Sequence, residues 1–198
     1  NKELDTKIIN VDEEHAEITN YMQPVKELIG NIADTIDMIS KHVDEPFINQ
    51  NHLDELERLR AEVTEATGIK ATHKDGVMHP IEIIETMQKV LSDDTTVTVD
   101  VGSHYIWMAR KYRSYNPRHL LFSNGMQTLG VALPWAISAA LVRPNTQVVS
   151  VAGDGGFLFS GQELETAVRK NLNIIQLIWN DGRYNMVEFQ EEMKYERS

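Results

Sequence analysis

From Pro80 onward the chain alternates short β-branched runs with intervals long enough for a helix, and that alternation leaves few folds open to it. The runs are Thr95 to Asp100 (TTVTVD), His119 to Ser123 (HLLFS), Thr146 to Gly153 (TQVVSVAG) and Leu172 to Trp179 (LNIIQLIW). Each is apolar on both of its alternating faces, so each has to be covered on both sides. Parallel strands between two layers of helices meet that demand. The reading is therefore α/β, a parallel β-sheet flanked by helices on both faces. The helix that opens the pattern starts with Pro80 at its first position, carries Ile83, Ile84, Met87, Val90 and Leu91 on one face, and is expected to end at Asp93.

The segment before Pro80 reads differently. Lys7 to Asp12 (KIINVD) is a short strand; a polar stretch follows, then the helix-period set Ile32, Ile36, Ile39 and Val43 just after Gly30-Asn31. Residues 44 to 78 are mostly charged, with one helical stretch, His52 to Ala66, ending at Gly68, and few core-forming positions. The expected division is a β, loop, α segment over 1–45, a connector over 46–77, and an α/β ligand-binding domain over 78–198 with its boundary near Met78. The sequence opens without Met, in what reads as a loop before a strand, and stops at KYERS; it is expected to begin inside a longer polypeptide and to end before its last domain is complete.

Charge excludes two classes of partner. The net charge of -11 would repel a nucleic-acid backbone or an anionic membrane surface, and no basic patch offsets it. With no cysteine the chain has no disulfide, no Cys-ligated zinc and no thiol nucleophile, which fits a cytoplasmic protein. No signal-peptide pattern opens the sequence, and its apolar runs are too short to span a bilayer.

In an open α/β sheet, ligands bind beyond the carboxyl ends of the strands, where turns into helices present unpaired N–H groups. The turns to inspect are Asp100 to His104, Ser123 to Gln127, Gly153 to Gly156 and Asn180 to Arg183. The third is the most informative. Glycines on both sides of Asp154 let the backbone approach an anion, while the carboxylate would repel that anion unless a cation lay between them. Asp154 thus points to a metal-bridged phosphate, and Asp181, at the end of the next strand, offers a hard cation a second side-chain oxygen. The bland alternative is that Asp154 only caps a helix.

Gly153-Asp154-Gly155, followed one helix and one strand later by Asn180-Asp181, resembles the signature of thiamine-diphosphate enzymes. Three further segments, Asp100 to Arg110 (DVGSHYIWMAR), Ser123 to Leu141 (SNGMQTLGVALPWAISAAL) and Tyr184 to Glu192 (YNMVEFQEE), are similar to those of the bacterial, catabolic, FAD-independent acetolactate synthases. The resemblance covers 78–198 closely; residues 1–45 resemble the last βα piece of that family's central domain. It implies thiamine diphosphate and Mg²⁺ as cofactors, with Asp154, Asp181 and the carbonyl of Arg183 as metal ligands, although the family usually has Gly at the Arg183 position. It implies a diphosphate cradle of Gly102, Ser103, His104, Gly153, Gly155 and Gly156, with Tyr184 beside it. Leu129 would support the bent cofactor, and its backbone, with that of Gln127, would meet the aminopyrimidine edge. Met186, Val187 and Gln190 would line the substrate pocket; FAD-dependent relatives carry Trp at the Gln190 position.

The implied activity is conversion of two pyruvates to 2-acetolactate and carbon dioxide, as in acetoin biosynthesis, by a homodimer or homotetramer. The glutamate that activates the cofactor belongs, in that family, to an N-terminal domain of the partner subunit, and no glutamate here matches its context. The resemblance therefore places the diphosphate and metal site in this chain and no catalytic residue, and an isolated chain would be inactive. Another thiamine-diphosphate decarboxylase or lyase, or a non-catalytic binding module on the same sheet, remains open. A Rossmann dehydrogenase is disfavoured, since no G-x-G-x-x-G follows a strand. Trp107, Trp135 and Trp179 read as packing residues, and Glu188, Glu191 and Glu192 as a solvated helix face.

Overall fold

The structure is a computed structural model describing residues 7–17, 23–43, 49–66 and 76–196, with only the backbone helix described at 64–66. Much of the expected connector, residues 46–48 and 67–75, lies outside the described residues, as does His73. The chain forms two compact units, Asn1–Gly68 and Ile69–Ser198.

In the first unit, β1 (Ile9–Asp12) pairs in parallel with β2 (Lys26–Ile29), in a register running from Ile9 opposite Lys26 to Asp12 opposite Ile29. The sequence reading has no β2, because KELI sits in a polar stretch and supplies only two half-buried positions. One of them, Glu27, accepts the Ala16 N–H at 2.8 Å, which fixes the loop leaving β1. Helix α1 (Ile32–Ser40) starts where Gly30-Asn31 suggests, the Asn31 side chain accepting the Asp34 N–H. Helix α2 (Gln50–Ala66) follows.

The second unit is the α/β sheet. Helix α3 (Pro80–Val90) has Pro at its start and a reciprocal capping box, in which His79 accepts from the Ile81 N–H and Glu82 from the His79 N–H. It ends three residues before Asp93, because Ser92 to Thr95 turn back into the sheet. Then come β3 (Thr96–Val99), α4 (Ser103–Lys111), β4 (Leu120–Phe122), α5 (Ala132–Val142), β5 (Val148–Gly153), the short α6 (Asp154–Leu158), a 3₁₀ turn at Gly161–Glu163, α7 (Leu164–Arg169), β6 (Ile174–Trp179) and α8 (Asn185–Tyr195). All strand pairs are parallel, in the order β4-β3-β5-β6.

Both faces of the central strands are covered, as their composition requires. Val97, Val99, Val149 and Val151 pack with Ile84 and Met87 of α3 and Met108 of α4. The intervening residues point the other way, as successive strand residues must: Val148 meets Ala136 and Ala140 of α5, and the Thr98 hydroxyl donates to the Ala132 carbonyl at 2.8 Å. Buried alanines on α5 let that helix lie close to the sheet. Each fully buried large side chain here contributes about 1.5–3 kcal/mol relative to exposure. Edge strand β6 is covered less completely, with Ile175 and Ile178 exposed. Among the described residues no helix is long and apolar enough to cross a membrane.

Candidate functional site

The residues singled out at the turns gather at the carboxyl ends of β3, β5 and β6. After β3 the chain turns through Asp100, Val101 and Gly102 into α4. Gly102 stands at φ 151°, where a side chain is strained, and a Cβ there would lie 2.8 Å from the His104 ring, so glycine is required twice over. Ser103 and His104 form the first turn of α4, whose start has no side-chain cap. After β5 the chain enters α6 at Asp154, and Gly153 ahead of it supplies no side-chain cap either. The starts of α4 and α6, neither capped by the side chain of the residue ahead of it, therefore leave neighbouring strands, and the partial positive charge of a helix start favours an anion.

His104 joins these turns. Its ring lies 3.4 Å from where a Gly153 Cβ would stand and faces Trp179, the centroids 6.0 Å apart. It is buried, and its Nε2 has no hydrogen-bond partner, as is also true of Trp179 Nε1. Burial lowers its pKa from 6.5 to about 4, against the opposing pull of the Asp100 carbonyl and the Asp181 charge. A buried imidazole nitrogen without a partner, beside two uncapped helix starts, fits a phosphate oxygen. From sequence alone Trp179 reads only as packing.

Gly153 holds the cap position of α6, while Asp154, its first residue, takes one helix-start N–H as the capping alternative expects and also reaches beyond the helix. One carboxylate oxygen accepts the Gly155 N–H at 2.8 Å, and the other reaches the next loop to accept the Gly182 N–H at 3.0 Å. The loop carrying Asp181 is thereby tied to the glycine-rich turn, as the strand-helix-strand spacing suggests. Asp181 accepts from the Arg183 N–H and from the Asn185 side chain. An ionised carboxylate has about four acceptor sites, so both acids retain lone pairs for a cation. The left-handed position of this loop is Gly182, at φ 71°, and Arg183 has no positive φ. Arg at a position the family gives to Gly is therefore unstrained, and its guanidinium pairs with Glu188 at 3.3 Å. Among the described residues no three His, Cys, Asp or Glu side chains cluster as a metal site, so a cation at Asp154 and Asp181 would take its other oxygens from the backbone and from its ligand.

Tyr184 caps the sequence into α8, and its ring covers Gly155, where a Cβ would sit 2.5 Å from Cε1. Met186, Val187 and Gln190 lie on the first turns of α8; Met186 is half-buried and the other two are exposed. Gln127 and Leu129 stand on the exposed loop between β4 and α5. Gln127 adopts φ 49° and donates its N–H to the Ser123 carbonyl, while the Thr128 N–H reaches the Ser123 hydroxyl.

Asp100 opens one of the four turns, and the sequence assigns it no role of its own. It is 1% exposed, and its carboxylate accepts the N–H groups of Val101 and Gly130 on Oδ1 and of Ala132 on Oδ2. Burial raises its pKa while these N–H groups pull it down. Gly130 itself is at φ 79°, with Phe159 Cβ 2.5 Å from where its own Cβ would be.

Comparison with known proteins gives the family. Residues 100–198 match the family described as thiamine pyrophosphate enzyme, C-terminal TPP binding domain. The chain is 48% identical to the acetolactate synthase of Bacillus subtilis (strain 168) over 98% of its own length and 34% of that protein's. It is 44% identical to the catabolic acetolactate synthase of Raoultella terrigena, over 90% of its length and 32% of the relative's. Identity to the acetolactate synthase isozyme 1 large subunit of Escherichia coli (strain K12) is 29%, over 96% and 33% respectively. The chain thus spans about a third of the length of the curated relatives it matches.

Proposed function

We propose, from the premise that this chain belongs to the thiamine pyrophosphate enzyme family, that it holds the diphosphate end of thiamine diphosphate and that the full-length protein is an acetolactate synthase of the catabolic kind. The observation that carries the site is the bond from Asp154, on the uncapped start of α6, to the loop that holds Asp181. The likeness to the Bacillus and Raoultella proteins supports the reaction, condensation of two pyruvates to 2-acetolactate with loss of carbon dioxide.

Each residue has a physical task in this reading. Asp154, Asp181 and the Arg183 carbonyl hold Mg²⁺, and the metal offsets the repulsion that two carboxylates would exert on a diphosphate. The N–H groups at the starts of α4 and α6, with Ser103 and His104, bind the phosphate oxygens; Gly102, Gly153, Gly155 and Gly156 keep the approach clear. The backbone of Gln127 and Leu129 orients the aminopyrimidine, the Leu129 side chain supports the bend, and Tyr184 screens the cradle. Met186, Val187 and Gln190 shape the pocket for pyruvate. Thiamine diphosphate, when bound, supplies the electron sink that decarboxylation of a 2-keto acid needs. The activating glutamate is assigned by the resemblance to a domain outside these 198 residues, contributed by a partner subunit. Activity is therefore proposed for the full-length protein, as a cytoplasmic homodimer or homotetramer, and not for residues 1–198 alone, in which 1–45 are the tail of a central domain and 46–77 a connector.

The test is titration of the full-length protein with thiamine diphosphate, in Mg²⁺ and in chelator, with an assay for acetolactate from pyruvate, alongside Asp154→Ala. Metal-dependent binding, acetolactate production and loss of both in the variant are expected. Acetaldehyde as sole product would replace the synthase with a simple decarboxylase. Unchanged binding in Asp154→Ala would remove the metal role.

A further inference from the structure

Asp100 presents a problem that the cofactor cradle does not explain. Its carboxylate is closed off from solvent at 1% exposure, and its oxygens are taken by N–H groups from three points of the chain. Val101 is its neighbour, at the entry to α4. Gly130 and Ala132 lie 30 and 32 residues away, at the entry to α5, 3.0 and 3.3 Å from its oxygens. Against its third side stands Gly156 of α6, so close that a Cβ there would be 3.2 Å from the Asp100 Cγ. The same turn is held a second time from β3, by the Thr98 hydroxyl on the Ala132 carbonyl at 2.8 Å. At its other end the loop is anchored by Ser123, which receives the N–H groups of Gln127 and Thr128. Residues 127–129, between these anchors, are exposed.

We propose that Asp100 is a positioning residue. Its carboxylate clamps the Gly130–Ala132 turn against the starts of α4 and α6, and so sets the distance between the backbone of Gln127 and Leu129, which meets the aminopyrimidine, and the diphosphate cradle. The inference rests on the cofactor reading above. A carboxylate suits the place because it is acceptor-only and has lone pairs for every N–H that faces it. An isosteric amide replaces one acceptor oxygen with a donor and turns it against an N–H group. A buried donor left unsatisfied in this way is expelled from its site, and here the expelled group is the turn.

Asp100 then governs recognition of one end of the cofactor and not the other. The test is calorimetric titration of the full-length protein, in Mg²⁺, with two probes: thiamine diphosphate and inorganic pyrophosphate. In Asp100→Asn the affinity for thiamine diphosphate should fall by about tenfold or more, the scale set by losing a charged hydrogen-bond acceptor, while pyrophosphate stays within about twofold of wild type, the ordinary limit for a group left untouched. Thr98→Val, which unhooks the same turn from β3 without removing a charge, should show the same split at smaller size, and it decides the question alone where Asp100→Asn does not fold. Equal weakening of both probes would make Asp100 a general support of the fold and overturn the proposal, as would no change in either. A wild-type protein that binds neither probe would overturn the cofactor reading itself.

Discussion

The burial of His104 makes a quantitative prediction about acid stability. Its folded pKa lies at about 4 and its unfolded value at 6.5, the main cause being loss of solvent around the imidazolium. As pH falls, the unfolded chain takes up this proton near 6.5 and the folded chain only near 4, so between those values the unfolded state binds more protons and stability declines with acid. At about 1.4 kcal/mol per unit, crossing the whole window costs about 3 kcal/mol, of which about 2 is lost by pH 5. Asp100 acts with the opposite sign. Its pKa is raised by burial, so the stabilisation it gains from being neutral appears only as pH falls through the raised value, and none of it is present near neutrality. Comparing wild type with His104→Asn cancels that contribution, because both proteins keep Asp100. The assay is urea unfolding of cofactor-free protein at pH 8, 6 and 5, followed by tryptophan emission. Wild type should lose about 2 kcal/mol more than the variant between pH 8 and 5, with the m-value unchanged. Parallel pH profiles would mean that His104 titrates like a solvated imidazole, and the packing described around it would be wrong.

Three substitutions probe the scaffold beneath the site. Gly130→Ala has to place a side chain at φ 79° with Phe159 Cβ only 2.5 Å away, and should cost about 2–4 kcal/mol in unfolding free energy, whereas Gly125→Ala, with nothing within 4 Å and no positive φ, should be within about 0.5 kcal/mol of wild type. Met108→Ala empties a position with 0% exposure between α4 and the central strands and should cost about 2–5 kcal/mol by denaturant unfolding.

Legibility in the sequence followed burial and sequence distance. The runs around β3 and β5 announced themselves because Val and Thr filled both faces, and both faces are covered. β2 did not, because a strand with only two half-buried residues leaves no alternation to read. The approach of Asp154 to the Asp181 loop was legible from spacing, since one helix and one strand in a parallel sheet return the chain to the same edge. Burial of His104 was not: a histidine in the first turn of a helix reads as solvated until Gly102, Gly153 and Trp179 are seen to enclose it. Asp100 was the least legible, because its partners lie 30 residues away and are backbone amides, which leave no trace in residue type. Only Gly130, held at positive φ beside it, carried a signal that could have marked the turn.

Why the site forms where it does follows from the strand order. β3 has β4 on one side and β5 on the other, so the chain runs outward from β3 to β4, then returns across it to β5 and continues to β6. At such a reversal the connections leave neighbouring strands toward opposite faces, and their carboxyl ends border a crevice. The residues beside that reversal are Asp100 to His104 after β3 and Gly153 to Gly156 after β5. Within the crevice the near groups matter more than the chain's net charge of -11, because exposed charges beyond about 8–10 Å are screened. The acids kept there divide the work by exposure. Asp154 and Asp181, at the open loop, have oxygens to spare for a cation that an anion can share; Asp100, sealed beneath them, spends its oxygens on the backbone. On the function proposed above, three aspartates of like charge would serve one anion site, two of them through a metal and the third by clamping the Gly130–Ala132 turn against the helix starts.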